Sequence, residues 1–309
     1  MESRVNEKPR RILFFVVLLV LSTRFLCAQE LEPRAYSPSP TGLNILMLGY
    51  SHSTGNVLVD PSIPIEDLGA KVNTMTLGYV RTLGIAGRLA QISVVGPYIQ
   101  GSMHGLLSGE PASITRSGLA DVQVRTSFNL IGAPAMDLKE FAEYKQRTIL
   151  GVSLKMVIPS GQYTPAKLIN LSSNRWAFKP EVGLSRRFGR WSTDFYGGAW
   201  FYTDNSEFYG NQVRSQNPIG TAQFHLSYDV RPYLWAALDA TFYSGGRTTV
   251  GGARKSDLQK NSRLGLTVSV PLARRQSLKF AYNTGAFTSV GADFQVVSFA
   301  YQYTWGAGL

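Results

Sequence analysis

Residues 220–243, GTAQFHLSYDVRPYLWAALDATFY, read as two strands joined at Arg231-Pro232. In the first, Ala222, Phe224, Leu226, Tyr228 and Val230 alternate with Thr221, Gln223, His225, Ser227, Asp229 and Arg231. In the second, Leu234, Ala236, Leu238, Ala240 and Phe242 alternate with Tyr233, Trp235, Asp239 and Thr241. Successive strand side chains point to opposite faces, so each strand has one unbroken apolar face and one face with ionisable groups. The alternation runs for about ten residues per strand, the length that crosses a bilayer when tilted. This predicts an all-β protein, a transmembrane antiparallel up-and-down β-barrel.

The same pattern recurs along the chain and predicts about twelve strands: 43–52, 72–83, 87–100, 118–131, 147–158, 174–188, 190–204, 218–231, 233–244, 261–272, 275–286 and 292–305. The connections alternate in length. Short ones include Gly84-Ile85-Ala86, Gly189 and Pro232, and long ones are 53–71, 101–117, 159–173, 205–217 and 245–260. Bacterial barrels have short periplasmic turns and longer outside loops, which puts both termini in the periplasm. Residues 132–146 depart from this as a periplasmic turn holding a short helix around 136–144.

Ahead of the barrel, residues 1–28 carry a basic start, a ten-residue apolar run from Ile12 to Leu21 and a segment ending at Ala28. That run is too short to span a bilayer as a helix and fits a cleaved signal peptide. Residues 29–42, rich in Glu, Pro and Ser, read as a periplasmic N-terminal arm, and 43–309 as the outer-membrane barrel. The expected location is therefore the cell outer membrane of a Gram-negative bacterium.

Composition agrees. Charged residues are 17% of the chain, below the roughly 25% of soluble proteins, and glycines number 30. The formal charge of +11 is spread over strands and loops rather than one helix or stripe, which argues against a nucleic-acid partner. Outer-membrane lipid is the expected surroundings, and the oligomeric state is left open. Cys27 lies in the leader, so the mature chain has neither disulfides nor cysteine-ligated metal, and no cofactor is expected.

Residues on the polar parity are expected to face the lumen and to set a constriction: Asp121, Arg125, Lys155, Lys179, Glu181, Asp194, His225, Asp229, Asp239, Arg263 and Lys279. Both signs occur, so these groups either screen solutes by size and charge or pair to hold the wall. Tyr196, Trp200, Tyr233 and Trp235 share that parity and are candidates for an aromatic slide. His225 and Ser227 are two apart on one strand, with Asp229 or Asp239 as a third group. That pattern admits a lipid hydrolase, but the pair faces the lumen rather than the lipid, so no enzyme is expected.

Three stretches resemble one family: Ser117-Gly118-Leu119-Ala120-Asp121-Val122, Ile158-Pro159-Ser160-Gly161-Gln162-Tyr163 and Asn174-Arg175-Trp176-Ala177-Phe178-Lys179-Pro180-Glu181-Val182-Gly183. Together they are similar to the outer-membrane proteins of the putative meta-pathway of phenol degradation family. The resemblance implies a porin-like transporter for passive uptake of small hydrophobic or aromatic solutes. The alternative is a plugged barrel with a structural or surface-interaction role acting through loops 53–71 and 245–260. Intact mass of the exported protein is expected to correspond to a chain starting at Gln29. A mass that retains residues 1–28 would remove the signal-peptide assignment.

Overall fold

The computed structural model describes residues 32–58, 65–107, 110–167 and 170–308; the proposed signal peptide lies outside them. Along the chain run β1 (Leu43–Leu58), β2 (Ile65–Ile85), β3 (Arg88–Leu107), β4 (Glu110–Leu119), β5 (Val122–Ile131), α1 (Leu138–Glu143), β6 (Thr148–Ile158), β7 (Ala177–Phe188) and β8 (Trp191–Tyr202). They are followed by β9 (Asn205–Phe208), β10 (Gln212–Gln216), β11 (Ile219–Arg231), β12 (Leu234–Gly245), β13 (Thr248–Val250), β14 (Ala253–Arg254), β15 (Gln259–Ala273), β16 (Gln276–Thr288) and β17 (Gly291–Gly306).

Each wall strand pairs antiparallel with its neighbours, and β1 pairs with β17 from Leu43↔Gly306 to Leu58↔Gly291, which closes the cylinder. β4 and β5 share one position beside β3, so the wall has twelve strands. This is the expected number, in the expected order, and the first strand falls where the alternation placed it. Turns 86–87, 189–190, 232–233 and 274–275 gather at the end that holds both strand termini, Leu43 and Gly306. The turn with α1 is at the same end, where Asp137 and Glu140 form a reciprocal capping box.

Two expected loops are largely strand instead. β1 and β2 continue through most of 53–71, and β3 and β4 fill 101–117 apart from the segment at 108–109. Strand pairing continues past the bilayer, but outside hydrocarbon nothing requires an apolar outer face, so the alternation that marks a strand fades. The outside loops of 203–218 and 246–258 also carry structure, the small sheet β14-β13-β10-β9.

Between β4 and β5 the wall breaks at Ala120-Asp121. β5 goes on to pair with β6, whereas β4 pairs only with β3 and leaves its other side as a sheet edge. The segment after β6 covers the break. Gln162 N donates to Leu119 O at 2.9 Å, and Val122 N donates to Ser160 Oγ at 3.0 Å.

The strand register sorts the two faces. Leu184, Phe195, Phe224, Ala240 and Leu264 lie in one lateral row across β7, β8, β11, β12 and β15. Phe195 is 54% exposed and Phe224 46%, which in a barrel means facing lipid. One residue along, Ser185, Asp194, His225 and Asp239 form a buried row. Leu238 sits on the lipid face mid-strand, and Tyr233 lies in a periplasmic turn. Leu238→Arg is expected to lower stability by about 2–4 kcal/mol in urea unfolding from vesicles, and Tyr233→Arg to leave it nearly unchanged. Equal effects would remove the lipid-face assignment.

Candidate functional site in the lumen

Residues 32–42 do not hang below the barrel as a free arm; they turn into its lumen. In a turn closed by Ser37 N donating to Arg34 O at 3.1 Å, Arg34 faces β8, β11 and β12 while Tyr36 faces β5 to β8, neighbouring parts of one side of the wall. Arg34 forms an ion pair with Asp229 at 2.7 Å, lies 4.5 Å above the Trp235 ring and donates its backbone N–H to Asp194 at 3.1 Å. Ala35 N donates to the Tyr196 hydroxyl at 3.0 Å. At the arm's exit, Gly42 N donates to Thr82 O and Thr82 Oγ1 to Pro40 O, which leads the chain straight into β1.

Tyr36 is the deepest anchor. Its ring lies on Gly151 of β6 and Gly183 of β7, which are direct cross-strand partners on the lumen face. A Cβ at either glycine would overlap the ring, so the pair of glycines is a socket cut into the wall. The same register row continues to Asn129 on one side and Tyr196 on the other. Asn129 Nδ2 donates to Tyr36 O at 3.2 Å, and the Tyr196 ring meets Tyr36 edge-on at 5.2 Å. The Tyr36 hydroxyl donates to Glu181 at 3.1 Å and lies 2.9 Å from Ser153 Oγ.

Above the socket the lumen residues fall into successive rows. Ser127, Ser153 and Glu181 are cross-strand partners, and the next row outward is Arg125, Lys155 and Lys179. Glu181 is the hub: Lys179 Nζ is 2.7 Å away, Arg125 3.7 Å, and Gln223 Nε2 donates to it at 3.2 Å. Lys179 also lies 6.0 Å from the Trp200 ring. Beyond this row, Val157, Ala177, Trp200, Ile219 and Tyr243 pack as an apolar layer.

The remaining expected lumen residues divide by task. Asp194 accepts from Ser185 Oγ and from the arm. Asp229 bridges Arg34 and Arg187, the latter at 2.6 Å. Arg263 donates to Asn283 Oδ1 and Phe294 O, and Lys279 lies 5.7 Å from the Trp235 ring. Asp121, fully buried, takes no part in a constriction. It accepts from Gly161 N and Ser173 N at 3.1 and 2.9 Å, so it pins the covering segment over the break between β4 and β5.

The aromatic candidates split as well. Tyr196 and Trp200 are buried in the lumen and Trp235 underlies the arm, but Tyr233 is 78% exposed in its turn, so no continuous slide of the four exists. His225 and Ser227 are both fully buried. Asp239 holds His225 Nδ1 at 2.6 Å and accepts from Thr267 at 2.7 Å. Neither His225 Nε2 nor Ser227 Oγ makes a hydrogen bond to any described residue, so the serine is not bonded to the imidazole as nucleophilic catalysis requires. No cluster of metal-ligating side chains occurs among the described residues.

Over residues 49–302 the sequence matches the family described as "Putative MetA-pathway of phenol degradation". The chain belongs to this family. Its fold is similar to that of an outer membrane channel from Pseudomonas putida F1, with a TM-score of 0.77 and 20% identity, covering 89% of this chain and 100% of that one. The transport unit of the autotransporter AIDA-I from Escherichia coli aligns with a TM-score of 0.50 and 10% identity, covering 96% and 98%. At these identities the likeness is one of fold. No curated protein matches the sequence. Family, closed barrel and lipid-facing apolar surface place the protein in the outer membrane.

Sequence reading did not find the docked arm. The available signal was a pair of glycines on the lumen parity of adjacent predicted strands, with a lone tyrosine in the segment before the barrel. Gly151→Ala is expected to expel Tyr36 and expose the bond after Arg34. Trypsin would then cut the folded variant there while sparing the unaltered protein. Equal resistance would mean that the socket does not hold the arm.

Proposed function

We propose that this barrel is a passive channel for uptake of small, hydrophobic or aromatic solutes, gated by its own N-terminal arm. The observation that carries the reading is the layered lumen: an apolar aromatic layer outside, a charged row beneath it, and an arm held by reversible contacts at the periplasmic end. Membership of the family supports it. No covalent chemistry is involved. Ion pairs such as Lys179–Glu181 and Arg187–Asp229 hold the passage in shape, and Asp229 also receives the arm.

A second reading, a plugged barrel acting through its outside loops, is favoured by the arm itself. It touches β2, β5, β6, β7, β8, β11 and β12, seven of the twelve wall strands. The two readings separate in reconstituted vesicles with lipopolysaccharide in the outer leaflet, where N-phenyl-1-naphthylamine enters slowly by itself. The unaltered barrel is expected to speed entry, and removal of residues 32–37 to speed it further and to raise single-channel conductance. If neither barrel changes entry relative to protein-free vesicles, the channel reading falls and the plugged one stands.

A further inference from the structure

We propose that the row Arg125, Lys155 and Lys179 is a binding site for the carboxylate of an amphipathic aromatic solute, and that Glu32 of the arm occupies that site while the arm is docked. The proposal deepens the channel reading by naming a substrate class, and its test is independent of transport.

The register supplies the first observation. Arg125 of β5 is the direct cross-strand partner of Lys155 of β6, and Lys155 is the direct partner of Lys179 of β7. Like charges directly opposed across strands destabilise a sheet, and here three cations stand side by side on one lumen face. Within the wall Glu181 pairs with Arg125 and Lys179 and is also engaged by Tyr36 and Gln223. A row of this kind is suited to a further anion.

The cavity supplies the second. Arg125, Lys155, Lys179, Glu181 and Gln223 line a small lumen cavity together with Glu32 and Ala35 of the arm. With the arm in place it has room for about one water molecule, so a solute enters only if Glu32 leaves. Three cations then face one carboxylate. One donor is placed for an incoming carboxylate: Arg125 Nη2 is buried, stands 3.7 Å from Glu181 and makes no hydrogen bond among the described residues.

The layer above supplies the third. Trp200 flanks Lys179, and Val157, Ala177, Ile219 and Tyr243 pack beside it. A solute with an aromatic body and an acidic head matches that order, apolar on the outer side and anionic on the inner. Charge-assisted hydrogen bonds from guanidinium and ammonium donors favour the ionised head over its neutral analogue. Glu32 is a tethered competitor, and the docked state lowers the apparent affinity by the fraction of time the site is filled. Binding of the head therefore releases the arm.

Calorimetric titration of the full mature chain, folded in detergent, tests this with benzoate, benzyl alcohol, benzylammonium and acetate. Benzoate is expected to bind at least about tenfold more tightly than the other three. Glu32→Gln is expected to tighten benzoate about tenfold and to leave benzyl alcohol unchanged. Lys155→Met is expected to weaken benzoate alone, with folding checked by heat-modifiable gel migration. If that variant does not fold, the ligand series and Glu32→Gln decide the matter. Benzoate binding no better than benzyl alcohol, acetate matching benzoate, or Glu32→Gln leaving benzoate affinity unchanged would each overturn the proposal. Entry of N-phenyl-1-naphthylamine tests the channel reading separately, and either can fail without the other.

Discussion

Every backbone N–H and C=O within hydrocarbon must find a partner inside the protein, because lipid offers none. In this chain the demand is met around a ring, and the pairing of β1 with β17 completes it. The rest of the architecture follows from that closure. Neighbouring strands must run antiparallel through short turns at one end, side chains must alternate between lipid and lumen, and the lumen must accept whatever polarity the sequence sends inward. The break at Ala120-Asp121 is where closure would fail, and there a buried aspartate and a covering segment take over the hydrogen bonding.

Inside the ring the problem is reversed. Buried charges are costly unless paired and hydrogen-bonded, and the lumen of this barrel is filled with them. The register solves this by rows: Ser185, Asp194, His225 and Asp239 in one, Ser127, Ser153 and Glu181 in another. The arm completes the pattern, since Arg34 serves Asp229 and Asp194 while Tyr36 serves Glu181. It is therefore part of the electrostatic balance of the wall as well as an obstruction. On the channel reading proposed above, a solute that displaces it has to offer the wall comparable contacts.

What could be read from the sequence was whatever lipid imposes. The alternation in 220–243 gave β11 and β12 almost residue for residue, and the lumen parity of His225, Asp239, Lys179 and Glu181 followed from it. What could not be read lay where lipid imposes nothing. The outer parts of β2 and β3 bury Leu68, Ala70 and Met103 in an apolar cluster on the inner face, but beyond the hydrocarbon their outer face need not be apolar, so 53–71 and 101–117 passed for loops. Asp121 has the parity of a lumen residue, but its role depends on a strand break that no periodicity marks. Tyr36 belongs to a segment without secondary structure, and its place is set by Gly151 and Gly183, residues that ordinarily signal weak strand rather than a receptor for a ring. Tyr233 kept its parity only on paper, because the turn at 232–233 swings it out.

The socket under Tyr36 also orders events in time. The arm leads the chain, but the surface that receives it is built from β6 and β7, more than a hundred residues later. It can seat only once those two strands lie side by side with Gly151 opposite Gly183. The arm can thus dock only after β6 and β7 have paired, so a segment early in the chain waits for one made much later.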